Sequence, residues 1–146
     1  MHWRQVWAYV WVAPITCLSL PLIPLAKLTG GTYCVHTGVI EVCGGAVGSW
    51  LARGIPVFGV VNAITIGHLV AGISPQHLVN SRVHERVHVC QFERWGCFFP
   101  LVYAAAGLKA HWQGKHFYWD NPYEIAARQA ALMTCSQPAT QSTPTR

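Results

Sequence analysis

Charge is scarce in this chain. Lys, Arg, Asp and Glu make up 10% of its 146 residues, where about 25% is usual for a soluble globular domain. So few charges coat a water-facing surface poorly. With 52% hydrophobic residues, the composition points to membrane lipid or a larger membrane assembly as partner. Acids are scarcer still, and the net charge of +5 reflects five carboxylates against ten Lys and Arg. There is no run of like charge and no basic stripe interleaved with aromatics, which argues against nucleic acid. Attraction to anionic lipid is the simpler reading of the positive balance. None of the six cysteines (Cys17, Cys34, Cys43, Cys90, Cys97, Cys135) forms a CxxC pair, so a zinc ribbon is not expected. Most are read as small buried hydrophobes. Internal repeats are absent, and the length suits one domain.

What is present begins with a long apolar run. "VWAYVWVAPITCLSLPLIPLA", from Val6 to Ala26, carries no charge between Arg4 and Lys27. It is long enough for a hydrocarbon core of about 30 Å. Trp3, Trp7 and Trp11 suit an interface, whereas Pro14, Pro21 and Pro24 kink a helix. Residues 1–28 are therefore read as a membrane-associated segment of open orientation, spanning, re-entrant or interfacial. No A-x-A-like cleavage site follows it, so a cleaved signal peptide is not the reading.

Two β-branched runs around Thr37-Gly38 predict a hairpin over residues 31–45. The Val- and Ile-rich stretch of residues 57–72 predicts further buried strands. A helix follows, with Ser74 as N-cap, Pro75 in the first turn and Gly96 as stop. "FFPLVYAAAGLKAHW" reads as an Ala-rich helix ending near Gly114, and Asn121-Pro122 opens a third. The expected fold is α+β, a small antiparallel sheet followed by one long helix and two shorter ones over residues 29–134. A polar, disordered tail is expected over 135–146.

The long helix carries His84-Glu85-Arg86-Val87-His88. Side chains at i and i+4 share a helical face, so the two imidazoles can hold one metal ion. Glu85 points about 100° away, where it can reach water on that ion as a general base. His77 shares the stripe and is read as solvent-facing. Gln91 either braces a ligand imidazole or stands at the surface. A third protein ligand must come from elsewhere. Glu93 lies off the stripe, which leaves Glu124, with Asp120 as fallback. Asn121 to Glu124 also has the form of a capping box, in which the carboxylate would serve only the helix end.

The spacing of His84, Glu85, His88 and Glu124 resembles the gluzincin class of zinc metallopeptidases. More closely, "AITIGHLV", "HERVHVCQFERWG" and "DNPYEIAA" together resemble a group of small bacterial proteins built on H-E-x-x-H-x-x-Q and N-P-x-E, over roughly residues 30–133. The resemblance implies a minimal zincin-like fold with Zn2+ on His84, His88 and Glu124, Glu85 as base, and Gln91 and Asn121 supporting the ligands. It further implies a peptide or protein substrate along the strand edge "AITIGHLV", near His68, and a bacterial cytoplasmic membrane location, although a lone histidine in an apolar run reads first as a satisfied core residue. His111, His116, Tyr118 and Tyr123 are all available to steady an oxyanion. The expected function is a membrane-associated zinc-dependent hydrolase of metallopeptidase type. The alternative is a non-catalytic zinc-stabilised scaffold within a membrane assembly.

Overall fold

The structure, a computed structural model, describes residues 3–56 and 58–136. In chain order the elements are α1 (Trp3–Ser19), α2 (Leu22–Leu28), β1 (Thr32–His36), β2 (Val39–Cys43), α3 (Gly45–Arg53), β3 (Ala63–Ile66), β4 (Leu69–Gly72), α4 (Pro75–Trp95), α5 (Phe99–Trp112) and α6 (Pro122–Ser136). The fold is α+β, as expected. Residues 137–146, most of the predicted tail, lie outside the described residues.

The strands form one sheet in the order β1-β2-β4-β3. Both hairpins are antiparallel, and Thr37 and Gly38 make the first turn, each with positive φ. The junction between the hairpins is different: β2 pairs with β4 in parallel. The expected all-antiparallel sheet is thus a mixed one. The reason is α3, a helix not foreseen in the sequence, which carries the chain away from β2 before the second hairpin returns. Residues 58–62 also precede β3 rather than extending it.

Alternation along the strands builds two cores. Val42, Leu69 and Ala71 face α2 and α3, where they pack with Ala26, Val47 and Leu51. Val39, Cys43, Ala63 and Val70 face α4 and meet Leu78 and Val89. β4 is buried along its whole length, as a strand covered on both faces must be. Ala26 belongs to the first core, so the N-terminal segment and the rest of the chain share it. Of the described cysteine side chains, only Cys43 is buried. Cys17, Cys34, Cys90 and Cys97 are exposed, against the sequence expectation, because they fall on outer strand and helix faces.

The α4-facing side of the sheet also carries a charge. Glu41, 5% exposed, accepts two hydrogen bonds from the Arg82 guanidinium, at 2.8 and 2.9 Å. These bonds, partly opposed by burial, hold the Glu41 carboxyl below the usual glutamate range. The stabilisation is therefore present above the unfolded value of about 4.3 and lost as pH falls through the lower folded value. Glu41→Gln, which leaves Arg82 half-paired, should cost about 2 kcal/mol near neutral pH. In thermal melts the gap from wild type should narrow below pH ~4. A gap unchanged by acid would mean that the ion pair is not its source.

Candidate metal centre

The site is built on α4. Ser74 caps its first turn, accepting from the His77 backbone N–H, and Gly96 ends it with φ 61°. The helix lies across the sheet and turns His84, Glu85 and His88 toward one cavity. α6 packs on α4 and brings Glu124 in from the far side.

Three donors converge there. His84 Nε2 lies 3.1 Å from His88 Nε2 and 3.3 Å from Glu124 Oε2. His88 Nε2 lies 3.2 Å from Glu124 Oε1. Taking one donor atom per residue, all three sit within 4.8 Å of one another. The larger figure arises because the two imidazoles approach different carboxylate oxygens. In tetrahedral zinc with bonds of about 2.0–2.1 Å, neighbouring donors are about 3.4 Å apart. The closest approaches here match that edge.

The tautomer of His88 follows from its support. Gln91 Nε2 donates to the Tyr123 carbonyl at 3.2 Å, which turns the Gln91 oxygen toward His88. That oxygen lies 2.8 Å from His88 Nδ1, so Nδ1 carries a proton and Nε2 is the nitrogen turned to the centre, available to a metal when unprotonated. Gln91 is thus the imidazole brace, not a surface residue. Glu124 is also removed from the capping-box role. Its carboxylate faces the imidazoles and accepts a 2.9 Å hydrogen bond from the Tyr103 hydroxyl. Asn121 caps α6 alone: its Oδ1 accepts from the Tyr123 N–H, and its Nδ2 donates to the Tyr103 carbonyl.

The site favours a cation. Glu124 Oε2 is buried and makes no well-formed hydrogen bond, with His84 Nε2 at 3.3 Å and Arg128 Nη1 at 3.7 Å. Arg128 is held instead over the Trp119 ring and by the Trp119 carbonyl. Burial would raise the Glu124 carboxyl, but the His84 and His88 imidazoles facing it take it well below the usual range. Burial opposes charge on His88, yet Glu124, Glu85 and Gln91 together outweigh it and raise the imidazole. Glu85 is 5% exposed and accepts a 2.6 Å hydrogen bond from the Thr65 hydroxyl. Burial raises its carboxyl, with His88 and Thr65 opposing.

The cavity, of about 330 Å³, is walled by β3, by Phe92 of α4, by Phe99 and Tyr103 of α5, and by Phe58 and Tyr118. Tyr118 is the one predicted oxyanion candidate on that wall. Burial and the Glu124 carboxylate raise its phenol, so it stays a donor. Tyr123 packs edge-on against Phe99 behind the site. His68 is not on the wall either. It sits in the β3–β4 turn, stacked on Tyr9 and 3.1 Å from Glu93. Asp120 accepts from the His116 backbone N–H rather than approaching α4. His111 and His116 are exposed. Phe99 is buried, and the nearby Phe98, Trp112 and Trp119 are exposed.

Two residues were missed by sequence reasoning, Thr65 and Tyr103. Each is the lone polar side chain in an apolar segment, "AITIG" and "PLVYAAAGL", which is the signal that could have found them. No protein-family model, no curated protein and no solved structure matches the chain.

Proposed function

We propose that this chain is a membrane-associated zinc-dependent hydrolase of metallopeptidase type, with a gluzincin-like ligand set of His84, His88 and Glu124. One observation carries the reading: two imidazole nitrogens and a buried, under-bonded carboxylate converge beside a second buried carboxylate, on the wall of an apolar cavity. A zinc ion supplies a Lewis acid for a scissile carbonyl and brings the pKa of water near ~7.

The chain's own residues account for the rest. Glu85, raised by burial, takes a proton from the attacking water and passes it to the leaving amine. Thr65 keeps that carboxylate in one orientation. Tyr118 donates toward the oxygen on which charge develops. β3 is an edge strand beside the cavity, so its outer edge can pair with an extended substrate backbone. The apolar wall excludes water and suits an apolar side chain next to the scissile bond. One N-terminal stretch, Val6–Leu28, is long and apolar enough to cross a membrane, and only 11% of its most apolar window is buried by protein. That exposure supports contact with lipid.

The test is hydrolysis of a mixed fluorogenic peptide pool by lipid-reconstituted protein. Activity should disappear with chelator and return with zinc. Activity indifferent to chelator, or none with zinc bound, would overturn the enzyme reading.

A further inference from the structure

The apolar N-terminal segment is built into the domain along its length, and this decides how it can meet a bilayer. The middle of Val6–Leu28 falls at Cys17. Beside it, Thr16 Oγ1 accepts a 3.0 Å hydrogen bond from the His68 backbone N–H, and Ser19 Oγ donates to the Ile66 carbonyl at 3.3 Å. One end is tied by Tyr9, whose hydroxyl donates to the Gly38 carbonyl at 3.0 Å, and the other by Ala26, fully buried against the sheet. Two close approaches leave no room for a side chain. A β-carbon on Gly96 would lie 2.5 Å from Trp11, and one on Gly67 would strike the Thr16 hydroxyl. A helix so pinned cannot enter the hydrocarbon core without taking the β3–β4 turn to mid-bilayer. Irregular polar backbone is not tolerated there when it faces lipid.

The outward face of α1 is nevertheless apolar. Trp7, Val10 and Leu18 fall within about 80° of arc, with Trp7 65% and Leu18 76% exposed. A second helix matches it. On α5, Leu101, Leu108 and Trp112 lie within about 40° of arc, with Leu101 69% and Trp112 78% exposed. The two stripes are joined, since the Trp11 and Phe98 rings lie 6.5 Å apart. Charge identifies what covers them. Residues 1–40 and 94–119, which hold both helices, contain no acid. Lys27, Arg94, Lys109 and Lys115 from these stretches are exposed, whereas Glu41, Glu85 and Glu124 are buried. The exposed acids, Glu93 and Asp120, border these stretches, so the apolar surface is fringed mainly by cations, which complements anionic lipid.

We infer that α1 and α5 together form an in-plane, monotopic lipid-binding face that rests on an anionic bilayer, and that α1 does not cross it. This inference rests on the membrane association proposed above. Ile15 of α1 and Phe99 of α5 also line the cavity, so the candidate metal centre lies beneath the helix pair that touches lipid.

The test uses the full chain with an epitope tag at each end. Flotation with sealed vesicles of phosphatidylglycerol and phosphatidylcholine, against phosphatidylcholine alone, reads binding. Protease added outside reads topology. The expected result is flotation that favours the anionic vesicles, with both tags digested. The double variant Leu101→Asp/Trp112→Asp, with an unchanged circular dichroism spectrum, should bind at least about tenfold more weakly, because two large apolar side chains are withdrawn from lipid. Flotation with one tag protected, or undiminished by the α5 changes, would overturn the in-plane inference and leave the membrane reading standing. No flotation, with a monodisperse dimer in lipid-free buffer, would sink both and assign the face to a second copy of the chain.

Discussion

Glu85→Gln is expected to leave the fold and bound zinc intact and to lower peptide hydrolysis by about 10²–10⁴-fold, the usual contribution of a positioned general base. The change is nearly isosteric, and the amide oxygen can still accept from Thr65 as the carboxylate does at 2.6 Å. Glu85 is 5% exposed, and burial disfavours its charge. Removing that charge should not lower the melting temperature, and a small rise is consistent with the relief of desolvation. His88 keeps its orientation, because its Nδ1 is held by Gln91 on the opposite side of the ring. Three measurements on one preparation decide the matter: zinc content, melting temperature and turnover. Turnover above one tenth of wild type would remove Glu85 from the role of base. Unchanged biological activity in a zinc-loaded variant would instead favour the scaffold alternative.

Glu124→Ala should reduce zinc content, read by mass spectrometry after gel filtration, from about one ion per chain to background. Two imidazoles on one helix face are a weak chelate without a third donor and its negative charge. The loss should exceed that from any supporting residue, which is typically about 10–100-fold in affinity. Asp120→Asn is the control. Its carboxylate is engaged at the His116 backbone N–H, 2.8 Å away, so zinc content should not change. Zinc retained in Glu124→Ala would refute the proposed ligand set. The alanine also strips the Tyr103 hydroxyl of its acceptor, so Glu124→Gln, which preserves that hydrogen bond, separates loss of metal from loss of fold.

Much of the local structure was legible because short-range chemistry decides it. Ser74, Pro75 and Gly96 bracket α4 at the expected positions, since caps answer to the backbone groups of one helical turn. Thr37-Gly38 made its turn. The four-residue spacing of His84 and His88 brings both rings to one face whatever surrounds them. Other expectations failed where sequence distance is large. A run rich in Val and Ile does not state which strand it will lie beside, so the parallel β2–β4 pairing was unreadable. For His68 the substrate-strand analogy failed and the core reading held, since the turn after β3 buries it against Tyr9 and Glu93.

By itself, the amino-acid sequence determined α4, α5 and α6, the first hairpin, the shared face of two imidazoles and the apolar character of the N-terminal run. Each depends on residues within a turn or two of one another. Only the tertiary structure decided that Glu124 faces those imidazoles rather than its own helix end, and that Thr65 holds Glu85. It also decided that the N-terminal segment, α1 and α2, is tied to the domain at Tyr9, Thr16, Ser19 and Ala26. These outcomes are contacts between distant segments, and they exist only once burial has set which surfaces meet.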